Sequence, residues 1–263
     1  MCYSAMVEND LAELRLAFDA APCEDAFKAF NSLFISNPKK CKSIAEHAQI
    51  YPNYYAPVVT AGLHGRMILP MRYSIVTPPG ENGPTPFNAR RDHLASKFWA
   101  RTFLKHHGIV IIKSFFEWVK AGDLVKAGFL KESDVSKHFE EESLRRKRRL
   151  LDQGKRYIPT ATEKKDPLMR DMIVHFTPTK NLHLIAPVIF SEEEDVEGFL
   201  HRGFAIITAE APPEIKNTGH DRCPVFITNQ TVDLWLNPQG KTAHEIDQLF
   251  EVKVDEKFVC CVS

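Results

Sequence analysis

Ile109-Val110-Ile111-Ile112-Lys113-Ser114-Phe115-Phe116-Glu117-Trp118 is the stretch on which the reading of this chain turns. Its first four residues are a continuous apolar run of strand length, with Gly108 just before it. A strand that is apolar without alternation is predicted to be buried on both faces. Directly after it, the Glu117 carboxyl stands among Phe115, Phe116 and Trp118. An acid in such surroundings is a candidate for a raised pKa and for proton transfer. The same rings could equally be core filling, and Trp118 could stack a base.

Working outward, residues 7–35 repeat apolar positions at helical spacing, and so do residues 92–107 up to Gly108. Residues 71–76 are short and β-prone, and Pro78-Pro79-Gly80 with the Gly- and Pro-rich stretch to Phe87 reads as loop. Further strands are expected at residues 173–176, 183–190, 204–208 and 225–228. Ser191 with Glu194 has capping-box spacing and predicts a short helix reaching about His201; Thr242 with Glu245 predicts another, ending near Phe250. Strands at irregular spacing with helices between them predict an α+β fold. It would be a single domain over residues 1–263, built on a mixed, mainly antiparallel curved sheet with flanking helices. Residues 121–168 differ from the rest, being highly charged and helical in pattern, as an insertion would be. They contain Arg145-Arg146-Lys147-Arg148-Arg149, with Glu140, Glu141 and Glu142 just upstream. Pairing at i,i+4 on a solvated helix is one account of that run, and a phosphate-contacting arm is the other.

Lys plus Arg and Asp plus Glu are 34 each, so the formal net charge is zero, unlike most strongly electrostatic nucleic-acid binders. A local basic groove is compatible with that sum. No apolar run approaches the ~20 residues of a membrane span. The first ten residues have neither the basic nor the apolar region of a secretory signal, so a cytoplasmic protein without membrane contact is expected. The six cysteines form no C-x-x-C pair and match no zinc pattern, so neither a disulfide scaffold nor a metal site is expected. Phosphate-loop, dinucleotide, zinc-protease and serine-hydrolase motifs are missing, and no cofactor is implied.

Four clusters could carry chemistry. Cys2 follows the initiator and is small enough for Met1 to be trimmed, which would place a free α-amine beside a thiol; both titrate near neutral pH, at about 7.7–8.0 and 8.5. The amine can attack an aldehyde to give a Schiff base, and the thiol can close on the imine carbon as a thiazolidine. Asn88-Ala89-Arg90 offers an amide that could orient an amine and a guanidinium fork suited to phosphate, or simply a helix cap. Glu117 with Trp118 is the third cluster. His220-Asp221-Arg222-Cys223-Pro224 is the fourth, a loop placing the side chain best suited to neutral-pH proton transfer among charges.

In this order the clusters resemble the SRAP family, the SOS-response-associated peptidase domain. Its pattern begins Met-Cys and continues with Asn-Ala-Arg, aromatic-aromatic-Glu-Trp and His-x-Arg-Met-Pro segments. The resemblance covers most of the chain apart from residues 121–168. A monomer is expected, since nothing in the sequence suggests an obligate oligomer, and the resemblance implies a protein that binds single-stranded DNA and traps abasic sites as a thiazolidine crosslink. Carried over, Cys2 is the nucleophile, Asn88 positions its amine, Glu117 transfers protons in forming and reversing the crosslink, and His220 helps open the deoxyribose ring. Arg90, Arg222, Trp118, Arg72 and Tyr73 fall at positions expected to contact DNA or support the site. Tyr3-Ser4 replaces the usual Gly-Arg, Tyr73-Ser74-Ile75 the usual Trp-Gly-Leu, and Cys223 the usual Met. Two other readings compete: a thiol peptidase or autopeptidase built on Cys2, and a non-covalent single-stranded DNA-binding module with Cys2 inert.

Overall fold

A computed structural model describes residues 3–36, 42, 48–77, 85–180, 183–195, 198–252 and 254–262. Cys2 and most of the loop expected after Thr77 lie outside the described residues. Short β1 (Ser4–Val7) leads to α1 (Leu11–Phe18), which Asp10 caps by accepting the N–H groups of Ala12 and Glu13. The helical pattern over residues 7–35 does not make one helix. Asp19 turns into the left-handed region at φ 47°, and β2 (Ala20–Pro22) separates α1 from α2 (Glu24–Ser36). That break lets residues 20–22 pair parallel with the strand at residues 66–68, an apolar gain that local spacing cannot foresee.

After β3 (Gln49–Ile50), the hairpin of β4 (Tyr55–Gly62) and β5 (Gly65–Tyr73) leads to β6 (Asn88–Arg90). Residues 92–107 form separate 3-10 turns at Arg91–His93 and Trp99–Arg101 instead of the expected helix. Leu104, at φ 66°, is incompatible with a continuing right-handed helix, and its N–H donates to His107 Nε2. The apolar run then opens β7 (His107–Lys120), fourteen residues long. Next come α3 (Ala121–Lys126), α4 (Glu132–Asp152), β8 (Asp171–Pro178), β9 (Leu184–Glu194) and β10 (Leu200–Glu210). The chain ends with α5 (Pro213–Lys216), β11 (Arg222–Pro224), α6 (Val232–Leu236), α7 (Ala243–Gln248) and β12 (Phe258–Val262).

Among the described residues twelve strands form one mixed sheet, in which three strand pairings are parallel and the rest antiparallel. Five strands close on themselves: β4 pairs β5, β5 pairs β10, β10 pairs β9, β9 pairs β7, and β7 returns to β4. Closure removes edges and covers the apolar run on both faces, as its composition predicts. Val110 and Ile112 join one buried cluster with Val58, Met71, Val188 and Phe204. Ile109 and Ile111 join the other, which packs under Leu14, Trp235 and Ile246.

Two local expectations are corrected. No helix starts at Ser191, because its hydroxyl donates to the Val76 carbonyl and accepts the Val76 N–H, pinning β9 to the segment that follows β5. Glu192, Glu193 and Glu194 instead pair across the β9–β10 hairpin with Arg202, His201 and Leu200. Nor do residues 225–228 form a strand. Val225 donates to Ile207 of β10 and Ile227 to Ile185 of β9, so the segment crosses two strands rather than running along one. At Thr242 both halves of the capping box are made, and α7 begins there.

Candidate active site

Glu117 reaches the site through strand periodicity. Phe115, Glu117 and Val119 share one buried face of β7, and successive residues point to opposite faces. Glu117 is only 1% exposed, so its carboxyl has little water to stabilise a charge. Burial therefore pushes its pKa up to about 9, the Asp221 charge adds to the effect, and the Tyr3 N–H opposes it. At neutral pH Glu117 is a carboxylic acid.

His220 stands over it from the turn between α5 and β11. Its Nδ1 donates to the Arg222 carbonyl at 2.8 Å, which leaves the lone pair on Nε2 facing Glu117 Oε2 at 3.2 Å. Burial lowers the His220 pKa, so the imidazole is neutral too. The pair is thus a proton donor and a proton acceptor within transfer distance, and not an ion pair.

Arg222 carries the arrangement outward. Its two terminal nitrogens each lie 3.4 Å from the Asp92 carboxylate, and Arg90 grips the same carboxylate at 2.6 and 3.1 Å. The Arg90 hydrogen bond, with Arg222 behind it, holds the Asp92 carboxyl far below its usual range. Arg90 and Asn88 both lie on β6, which is parallel to β10. Asn88 is buried, and its Oδ1 accepts the Tyr73 hydroxyl proton at 3.2 Å. Polar contacts thus run from Glu117 through His220, Arg222 and Asp92 to Arg90, while Asn88, on the same short strand as Arg90, is held separately by Tyr73.

Three expected DNA-contacting residues differ in their surroundings. Trp118 is 44% exposed and on the opposite face of β7 from Glu117, with its ring edge-on to Tyr3. Tyr3 in turn meets Tyr51, and Tyr51 meets Tyr54, so exposed and half-buried rings form a row beside the site that the sequence reading did not pick out. Tyr73 is fully buried, packed between Phe87 and Phe204, and this corrects its assignment to a DNA-contacting surface. Its hydroxyl holds Asn88 instead. Arg72 is half-buried and donates to the Ile75 carbonyl.

Asp92, two residues beyond Arg90, was given no role by the sequence, yet its carboxylate joins Arg90 to Arg222. Cys223 lies in the site region, but burial pushes its thiol up to about 12, with the Glu117 charge adding to the effect. It is a poor thiolate source. Among the described residues no group of His, Cys, Asp and Glu is arranged to hold a metal ion. No helix among the described residues is long and apolar enough to cross a membrane.

Known proteins give this geometry a family. A Bacteroides thetaiotaomicron protein of known crystal structure is similar with a TM-score of 0.62 at 14% identity, over 99% of this chain and 91% of its own. A Bordetella bronchiseptica protein gives 0.59 at 14% identity, over 100% and 99%. A phage-related protein from the same bacterium gives 0.53 at 12%, over 82% and 80%. At such identities the likeness is one of fold alone. No curated protein matches the sequence. The pattern of the SOS response associated peptidase (SRAP) family, however, matches residues 1–262, and the chain therefore belongs to the SRAP family.

Proposed function

We propose that the protein binds single-stranded DNA and captures abasic sites covalently through Cys2, once removal of Met1 has freed its amine. The observation that carries this reading is the neutral Glu117–His220 pair at 3.2 Å, whose acid lies on the strand that runs beside β1. One peptide unit, about 3.8 Å between Cα atoms, separates Cys2 from Tyr3, whose N–H donates to the Phe116 carbonyl.

An abasic deoxyribose is mostly a closed hemiacetal, so its aldehyde has to be released first. Neutral His220 can take the anomeric hydroxyl proton while neutral Glu117 gives one to the ring oxygen as the carbon–oxygen bond breaks. The Cys2 amine then adds to the aldehyde carbon, the carbonyl oxygen taking the proton held by His220 and the nitrogen returning one to Glu117. Glu117 protonates the new hydroxyl, water leaves, and the nitrogen gives its second proton back to Glu117 as the imine forms. The thiol sulfur adds to the imine carbon, the thiol proton passes to the nitrogen, and a five-membered thiazolidine results. One water is lost overall. Arg90 and Arg222 converge on a carboxylate, the geometry that also suits a phosphate.

The test is incubation with single-stranded DNA carrying one abasic site, followed by a denaturing gel. A slower band that is lost in Cys2→Ala supports the reading. Peptide turnover without such a band would support a thiol peptidase instead, and DNA retention without a band a non-covalent binder.

A further inference from the structure

The basic run of α4 has lost the acidic partners that its sequence offers. The Glu142 carboxylate goes to Arg170, at 2.7 Å, and not to a residue of its own helix. Arg146 is the member of the run that is neutralised, by Glu163 at 2.7 Å and by the Tyr157 ring. Among the described residues no ion pair reaches Arg145, Arg148 or Arg149, and all three are exposed. The i,i+4 account of this run therefore fails, and a block of positive charge stands free on a protein whose net charge is zero.

Position turns that charge into a surface. A groove of about 580 Å³ lies between α4 and the start of β8, lined by Trp118, His138, Glu142 and Thr162 among others. Helical geometry sets Arg145 and Arg149 within about 40° of His138 on the same side of α4, continuing the wall that His138 and Glu142 begin. The stripe rises about 16 Å from His138 to Arg149. Arg170 braces it from beneath, buried with its guanidinium against the Phe139 ring at 3.7 Å.

We propose that Arg145 and Arg149 form a second contact surface, for the phosphodiester backbone of the DNA strand continuing from the site past Trp118. This deepens the reading above and rests on it. The occupant follows from charge complementarity and from continuity with the exposed indole: a polyanion with flat bases, passing an aromatic ring and then fixed guanidinium groups.

The test is fluorescence anisotropy with unmodified single-stranded oligonucleotides, which keeps it independent of the crosslinking chemistry. One oligonucleotide is short enough to fill only the Glu117–His220 end; two others are lengthened on the 5′ or the 3′ side. Wild-type protein should gain affinity from lengthening on one side only. Arg145→Ala/Arg149→Ala should lose that gain, about tenfold near 0.15 M salt, and its salt slope should fall by about 1.4 while short-oligonucleotide binding is unchanged. Arg148→Ala, about 80° round the helix, should keep most of the gain. Equal affinity gains in wild type and double variant would overturn the proposal, as would equal losses on the short oligonucleotide. Absence of binding to any oligonucleotide would overturn the DNA reading itself, whereas binding without a length effect would overturn this surface alone.

Discussion

In the proposed reaction, Glu117 and the Cys2 amine make opposite demands on pH at the scale of single residues. Glu117 works as an acid only while protonated, so crosslinking should fall as pH rises through about 9. On the other flank it should rise with deprotonation of the attacking amine, near its ordinary pKa of about 8. Glu117→Gln keeps the shape, removes the proton, and should slow crosslinking by about 10²–10⁴-fold while erasing the alkaline limb. Its effect on stability has the other sign. The folded state keeps the Glu117 proton to about pH 9, whereas the unfolded chain releases it near the usual 4.5, so wild-type stability is lost as pH rises between those values. Glu117→Gln should melt several degrees higher than wild type at pH 8.5, a gap closing toward pH 4.5, as scanning calorimetry would show; parallel melting curves across that range would contradict the burial argument. Tyr73→Phe tests a positioning role. It removes the hydroxyl that holds Asn88 Oδ1, should cost about 1 kcal/mol, and should slow crosslinking several-fold while affinity for unmodified DNA stays level.

Among the elements, β7 was the most legible, because an unbroken apolar run has few places to go other than between two covered faces. Its continuation through Glu117 and Trp118 was harder to read, since aromatic residues suit a core, a strand end and a stacking surface alike. The two capping boxes show where local reading stops. Thr242 and Glu245 answer one another, whereas Ser191 finds its partners on Val76, more than a hundred residues away in sequence. Likewise, Cys2, Asn88, Glu117 and His220 could be picked out by residue type and family order, but the Asp92 bridge depends on β6 and β11 flanking β10. The ring closure has its own weak point. Gly203 faces Arg72 where β10 meets β5, and a Cβ there would fall 2.1 Å from the Ser74 carbonyl oxygen. Gly203→Ala should cost at least about 2–3 kcal/mol in denaturant unfolding, because backbone must move to admit the methyl group. A variant as stable as wild type would mean that this closure is not tight.

For the whole molecule, one closed sheet holds the acid, the imidazole and the two arginines on strands and turns far apart in sequence, and β1 lies against the strand that carries the acid. The balanced net charge conceals a division of labour, with paired charges around Asp92 and free ones on α4. In the proposed function this scaffold serves an N-terminal amine and thiol acting together. Its most direct test is intact-mass analysis of the protein after incubation with single-stranded DNA containing one abasic site, for wild type and for Cys2→Ala. Wild type lacking Met1 should gain the mass of the DNA less one water, with tandem fragmentation placing the bond on Cys2, and Cys2→Ala should gain no stable adduct. An unchanged wild-type mass, or an equally stable adduct in Cys2→Ala, would contradict the account.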